Sequence, residues 1–165
     1  MTAIISSRVG TPVDSIPGAP ASGGAASRVE RLARFVTSPR WEGISDQARQ
    51  QLKLRILDAL GCALGALGAE VPALVGAQVR ELGGSPLATL IGSVKSAPDR
   101  AALYNGTLVR YLDFNDSYLA PGETCHPSDS LPAVLAACEY SQADGRRGLW
   151  GTMSLWGRVV TYPGE

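Results

Sequence analysis

The sequence predicts an all-α fold. Three observations point to it. Apolar residues recur at three- and four-residue spacing through most of the chain, Ser, Asp and Pro stand where helices should begin, and only Leu87–Ile91 reads as a strand or a stretch of extended chain. The chain has 165 residues and 45% of them are hydrophobic, enough for one domain with its own core.

Residues 1–27 are rich in Gly, Pro, Ser and Ala and read as a disordered tail, because they bury too little apolar surface to offset their ordering entropy. A helix is expected from Arg28, with Val29, Leu32, Ala33 and Val36 on one face and Pro39 ending it. Ser45 caps the next helix, and Asp46 suits its first turn. Leu52, Ile56, Leu60, Ala63 and Leu67 form its apolar stripe. Gly61, Gly65 and Gly68 weaken that helix and give room for a neighbouring backbone. Pro72 starts a further helix through Leu82, and Gly83-Gly84 stops it. Pro98 opens another, with Ala101, Tyr104, Leu108 and Leu112 at helical spacing. After a polar loop, Asp129 or Ser130 caps a helix whose buried face is Leu131, Val134, Leu135 and Cys138. Beyond Arg146, Gly148, Gly151 and Gly157 break the period around Trp150 and Trp156. The local signals conflict there, so no well-specified element is expected.

Composition excludes several functions. Lys+Arg 15 balance Asp+Glu 15, which gives no reason to expect nucleic acid or an anionic membrane as partner. The longest uncharged run, Ala59 to Ala69, is far short of the roughly 20 residues of a membrane span. Cys62, Cys125 and Cys138 show no CxxC spacing. A disulfide framework or structural zinc site is therefore not expected, and a reducing, cytoplasmic setting fits.

The chemistry concentrates in the loop from Tyr111 to Asp129, which holds His126, the one histidine in the chain. An imidazole exchanges protons near neutral pH. Asp113 and Asp116 are short carboxylates that can orient an imidazole, act as base or accept substrate hydroxyls, and Ser117, Thr124 and Ser128 can donate to a carboxylate ligand. Asx and Ser residues also stabilise loops by bonding their own backbone, so a purely structural role stands beside the catalytic one. Asp113, Asn115 and Ser117 mimic positions 1, 3 and 5 of a calcium loop, but Tyr118 replaces the required Gly and Thr124 the required Glu. Cys125 and His126 beside Glu123 are adjacent, and adjacent ligands rarely close one tetrahedral site. No GxSxG supports a serine hydrolase. Arg110 precedes Asp113 by one helical turn and could supply one cation; no further basic residue follows before Arg146.

The run from Ala101 to Ser130 resembles the MmgE/PrpD family, which includes 2-methylcitrate dehydratase and cis-aconitate decarboxylase. The matching pieces are Asn105-Gly106, Asp113-Phe-Asn-Asp116 and His126-Pro127-Ser128, together with Leu54-Arg-Ile-Leu-Asp-Ala-Leu-Gly-Cys62. Their flavour is closer to the dehydratase branch. The resemblance runs from about Val29 to Arg146. It implies a helical N-terminal domain over 28–146, to which complete members add an α/β domain. It also implies a homodimer, a small tricarboxylate substrate, and neither an iron–sulfur cluster nor any other cofactor. By this resemblance Asp113, Ser117 and His126 line the active site; Asp113 and His126 are read as catalytic, and Ser117 and Asn115 as substrate-binding. The activity implied is a hydro-lyase, with a decarboxylase-like lyase or an inactive helical module as the alternatives. Family members are much longer, and their remaining lysines and histidines have no counterpart here. The chain thus reads as a truncated member, with 147–165 an aberrant segment left by a truncation or frameshift.

Overall fold

A computed structural model describes residues 26–37, 44–120 and 123–160. The tail reading of residues 1–27 falls almost wholly outside them, as does Pro39. Six helices dominate: α1 (Arg28–Thr37), α2 (Asp46–Gly65), α3 (Glu70–Leu82), α4 (Pro98–Tyr111), α5 (Leu131–Ser141) and α6 (Gly145–Val160). The all-α expectation holds, with one correction. Two small antiparallel hairpins are present rather than a single short strand: β1 (Ala88–Thr89) with β2 (Lys95–Ser96), and β3 (Tyr118–Ala120) with β4 (Glu123–Cys125). Among the described residues no single helix is long and apolar enough to cross a membrane.

Helix starts follow side-chain chemistry. Ser27 and Glu30 form a reciprocal capping box: Glu30 N–H donates to Ser27 Oγ at 3.2 Å, and Ser27 N–H donates to Glu30 Oε2 at 2.8 Å. The S-x-x-E spacing that announces it was legible in the sequence. Ser45 caps α2 as expected, accepting from Ala48 N–H at 3.2 Å. Gly68, at φ +83°, turns α2 into α3 at about 88°.

The buried stripe of α2 is Leu52, Ala59, Cys62 and Ala63, followed by Ala66 in the turn. It is rotated from the expected one: Ile56 and Leu60 are only half-buried, and Leu67 is exposed. Small residues face the core because the crossing helix comes close, while Leu54, Leu57 and Leu64 point outward. The glycines do not admit a neighbouring backbone. Gly61 faces open space, and Gly65 meets the Leu112 side chain.

Helix α4 is the axis of the domain and packs against α2, α3 and α5. Its Ala101, Tyr104, Leu108 and Val109 join Val79, Leu90, Leu131 and Ala136 in the core. Each large apolar side chain buried this way stabilises the fold by about 1.5–3 kcal/mol. Leu112, expected on the same stripe, lies past the helix end and packs against the core half-buried.

The buried Asn105 on α4 organises the first hairpin. Its Nδ2 donates to Thr89 O at 2.8 Å, and its Oδ1 accepts from Ile91 N–H at 2.9 Å. Helix α5 grips the same strand from the other side. Glu139 accepts from Thr89 N–H at 2.9 Å and from Thr89 Oγ1 at 2.6 Å, and it pairs with Lys95 at 3.4 Å. Burial alone would raise the Glu139 carboxyl, but the Thr89 and Lys95 contacts outweigh it and hold the group below its ordinary value.

Two further readings are corrected. Neither Asp129 nor Ser130 caps α5 by its side chain: a 3-10 turn, Pro127–Ser130, leads into the helix, and Ser130 Oγ instead donates to Pro127 O at 2.8 Å. The buried face of α5 is Leu131, Pro132 and Ala136, with Val134, Leu135 and Cys138 half-buried. The segment after Arg146 is a helix, capped by Asp144 through Arg147 N–H at 2.9 Å. Two of the glycines that break its apolar period, Gly148 and Gly151, lie on its contact surface. Gly148 lies against Cys138 Sγ, Gly151 lies against Val134, and Thr152 beside them is fully buried.

Asn105→Ala should cost about 1–2 kcal/mol, because it removes the partner of the partly buried Ile91 N–H and Thr89 C=O. Urea unfolding of the two chains measures this. A loss below about 0.5 kcal/mol would mean that water satisfies both groups.

Candidate active site

Helix α4 ends at Tyr111, and Asp113 follows at φ 57°, the left-handed conformation that closes many helices. Asp is one of the few non-glycine residues that tolerate it. The reversal puts the Asp113 carboxylate back against Arg110 in the last turn of α4, where the two form an ion pair. The cation that the sequence offered to a ligand is thus engaged inside the protein. Arg110 Nη1 also donates to Asn115 Oδ1 at 3.1 Å, and its Nε lies 3.8 Å from Asp129 Oδ1. The Arg110 hydrogen bond, and then its charge, hold the Asp113 carboxyl below its ordinary value. The Asp113 side chain remains 71% exposed, so its carboxylate also faces solvent.

Asn115 sits behind this pair and is buried. Its Nδ2 donates to Ser128 Oγ at 2.8 Å and to Asp129 Oδ1 at 3.3 Å. Both amide hydrogens are used within the protein. Asn115 therefore ties the end of α4 to the 3-10 turn and presents no free donor to solvent.

The second hairpin sets the remaining geometry. Tyr118 pairs with Cys125, Leu119 with Thr124 and Ala120 with Glu123. Ser117 and His126 are the residues next along the two strands and stand opposite each other, with Ser117 Oγ 3.4 Å from His126 Nδ1. The same Nδ1 lies 2.9 Å from the main-chain oxygen of Asp116. The Asp116 carboxylate turns the other way and accepts from Ser128 N–H at 3.1 Å. Ser117 and His126 are therefore neighbours across the hairpin, Asp113 is exposed in the same loop, and Asn115 is buried. The sequence offered Asp116 as a carboxylate able to orient the imidazole and Ser128 as a donor to a ligand; the folded loop instead joins the two to each other.

Cys62 and Cys138 are poor nucleophiles. Burial, and then the Asp58 charge, push the Cys62 thiol up, and burial likewise raises Cys138. Among the described residues no group of three or more His, Cys, Asp and Glu side chains converges to hold a metal ion. Two apolar clefts, of about 460 and 390 Å³, lie along α5 and are not lined by Asp113, Ser117 or His126.

Arg110→Met should let the Asp113 carboxyl rise toward its ordinary value, since the guanidinium is what lowers it. The sign follows from linkage. The pair's contribution to stability is present above the unfolded-state pKa and is lost as pH falls through the depressed folded value. A carboxyl-carbon NMR titration reads this, and an Asp113 titration unchanged in the variant would show that Arg110 is not the cause.

The model of the MmgE/PrpD N-terminal domain matches residues 30–154. The mitochondrial 2-methylcitrate dehydratase of Yarrowia lipolytica is 35% identical over 116 residues, covering 65% of this chain and 21% of the relative. Alkylcitrate dehydratase phiI of a fungal species is 36% identical over 107 residues, covering 61% and 20%. The 2-methylcitrate dehydratase of Salmonella typhimurium is 40% identical over 89 residues, covering 52% and 18%. The match spans about a fifth of the length of these relatives. No solved structure matches the chain.

Proposed function

Because the chain belongs to the MmgE/PrpD family, we propose that its 110–130 loop supplies one half of a hydro-lyase site that dehydrates a 2-methylcitrate-like tricarboxylate. The observation that carries this reading is the pairing of Ser117 and His126 across the hairpin at 3.4 Å, with the exposed carboxylate of Asp113 in the same loop. It is supported by relatives that are themselves named as dehydratases of 2-methylcitrate and alkylcitrate.

Dehydration of such a substrate needs a group to move the proton alpha to a carboxylate. It also needs an acid for the departing hydroxide and donors for the charge that develops. In this proposal His126 handles the proton, Asp113 accepts the substrate hydroxyl, and Ser117 donates to a substrate carboxylate. Asn115 is assigned to substrate binding through the loop that it holds. The homodimeric state, the cytoplasmic location and independence from any cofactor belong to the same proposal.

Electrostatics argue that this is half of a site. Asp113 and Asp129 both engage one guanidinium, Arg110, and the Asp116 carboxylate lies in the same loop on the Ser128 amide. A tricarboxylate brought here meets net negative charge, and stripping water from each of its carboxylates costs several kcal/mol without matched cations. The cations must come from outside the loop, and the relatives are long enough to provide them. The second reading, a helical module without turnover, draws on the same charge balance and on the exposed leucines of α2.

The 165-residue chain by itself should show no dehydration of 2-methylcitrate when product is followed by ultraviolet absorbance. In a full-length enzyme carrying this domain, His126→Ala should lower turnover at least about 100-fold, the scale of a lost acid–base group. Asp113→Asn, which keeps the left-handed turn, should do comparable damage. Ser117→Ala should raise KM more than it lowers kcat. Near-normal kinetics of the His126 variant would overturn the hydro-lyase reading. Turnover by the 165-residue chain that disappears in its own His126→Ala variant would overturn the half-site reading.

A further inference from the structure

We propose that Asp116 is the positioning residue that holds His126 as its Nδ1–H tautomer and so leaves Nε2 as the free acceptor of the ring. This rests on reading His126 as the proton-transfer group of the loop.

The direction of the hydrogen bond carries the inference. His126 Nδ1 lies 2.9 Å from the Asp116 main-chain oxygen, and a peptide carbonyl can only accept. The hydrogen must therefore sit on Nδ1. Ser117 Oγ, at 3.4 Å from the same nitrogen, can then serve only as a second, weaker acceptor of that hydrogen. Its own hydroxyl hydrogen stays free to point outward. Among the described residues Nε2 meets no hydrogen-bond partner. One tautomer thus assigns two jobs: Nε2 takes a proton, and Ser117 gives a hydrogen bond.

Asp116 enforces this by holding both the ring and the chain two residues after it. Its carbonyl meets Nδ1, and its carboxylate accepts from Ser128 N–H at 3.1 Å. Pro127 has no N–H, so Ser128 carries the first amide after His126 that can be held. Ser128 is fully buried, and without the carboxylate its amide would have to find another acceptor. The carboxylate anchors the turn that carries His126, and the carbonyl then reads the ring.

The chain has one histidine, so its ring nitrogens can be observed without ambiguity. The experiment is a long-range proton–nitrogen NMR spectrum of the 165-residue chain labelled with 15N-histidine, recorded above the pH at which imidazole loses its proton. Free imidazole side chains in water favour the Nε2–H form, so a majority of Nδ1–H is diagnostic. The expected spectrum has a protonated-type Nδ1 and an unprotonated-type Nε2. Asp116→Ala should lower the Nδ1–H to Nε2–H ratio by about 2- to 10-fold, the scale of one hydrogen bond. Asp116→Asn keeps an oxygen acceptor for Ser128 N–H and should retain the ratio.

A wild-type chain in the Nε2–H form would overturn the proposal. An Asp116→Ala chain with unchanged circular dichroism and an unchanged ratio would do so too. Should Asp116→Ala unfold, Asp116→Asn decides, with Nε2–H counting against the proposal and Nδ1–H for it. Turnover in the full-length enzyme separates this from the hydro-lyase reading. Independence from His126 there removes that reading and leaves the tautomer result standing, while an Nε2–H spectrum with His126 still required removes only the tautomer assignment.

Discussion

The loop that gathers the candidate site depends on one buried amide. Asn115 accepts from Arg110 at the end of α4 and donates to Ser128 and Asp129 in the turn before α5. A buried primary amide is costly unless its donors and acceptor are used, and here they are. That requirement fixes where the chain leaves α4 and where it re-enters the helical layer. The β3–β4 hairpin between those points is then held at both ends, so its register decides which residues face each other.

Helix α4 carries this logic at two levels. Asn105 in its middle satisfies the backbone of the first hairpin, and Arg110 at its end serves the second loop. Arg110 bonds the side chains of Asp113 and Asn115, whereas Asn105 bonds main-chain groups that have no ladder partner of their own there. Glu139 repeats the device from α5 toward Thr89. The domain is thus a helical core with polar struts reaching from α4 and α5 to two short hairpins. It belongs to a family whose members here are about five times longer than the matched region.

The struts also divide the labour among the loop residues. Asp113 and Ser117 keep solvent-facing polar atoms, whereas Asn115 and Ser128 spend theirs inside. Residues of the same chemical type therefore differ in role by burial alone. Asp113 keeps a carboxylate open to a ligand, while the Asp116 carboxylate is bound to a backbone amide.

The sequence by itself determined the helical class, the Ser45 cap, the Gly83 stop, the Pro98 start and the loop in which the polar residues collect. These depend on φ preferences and on orphan donors within one turn, which are local and survive without tertiary contacts. The motifs that resemble the MmgE/PrpD family were equally local, and the family followed from them. The rotated stripe of α2, the second hairpin and helix α6 were decided only by tertiary structure. The faces of α2 and α6 are chosen by how closely a neighbour approaches. Ala59, Ala63, Gly148 and Gly151 matter for being small, which hydrophobic spacing does not register. The site was split in the same way. Asp113, Ser117 and His126 could be named from their chemistry, but the burial of Asn115, the pairing of Arg110 and the hold of Asp116 on the His126 ring and on Ser128 needed a register that only the folded hairpin sets.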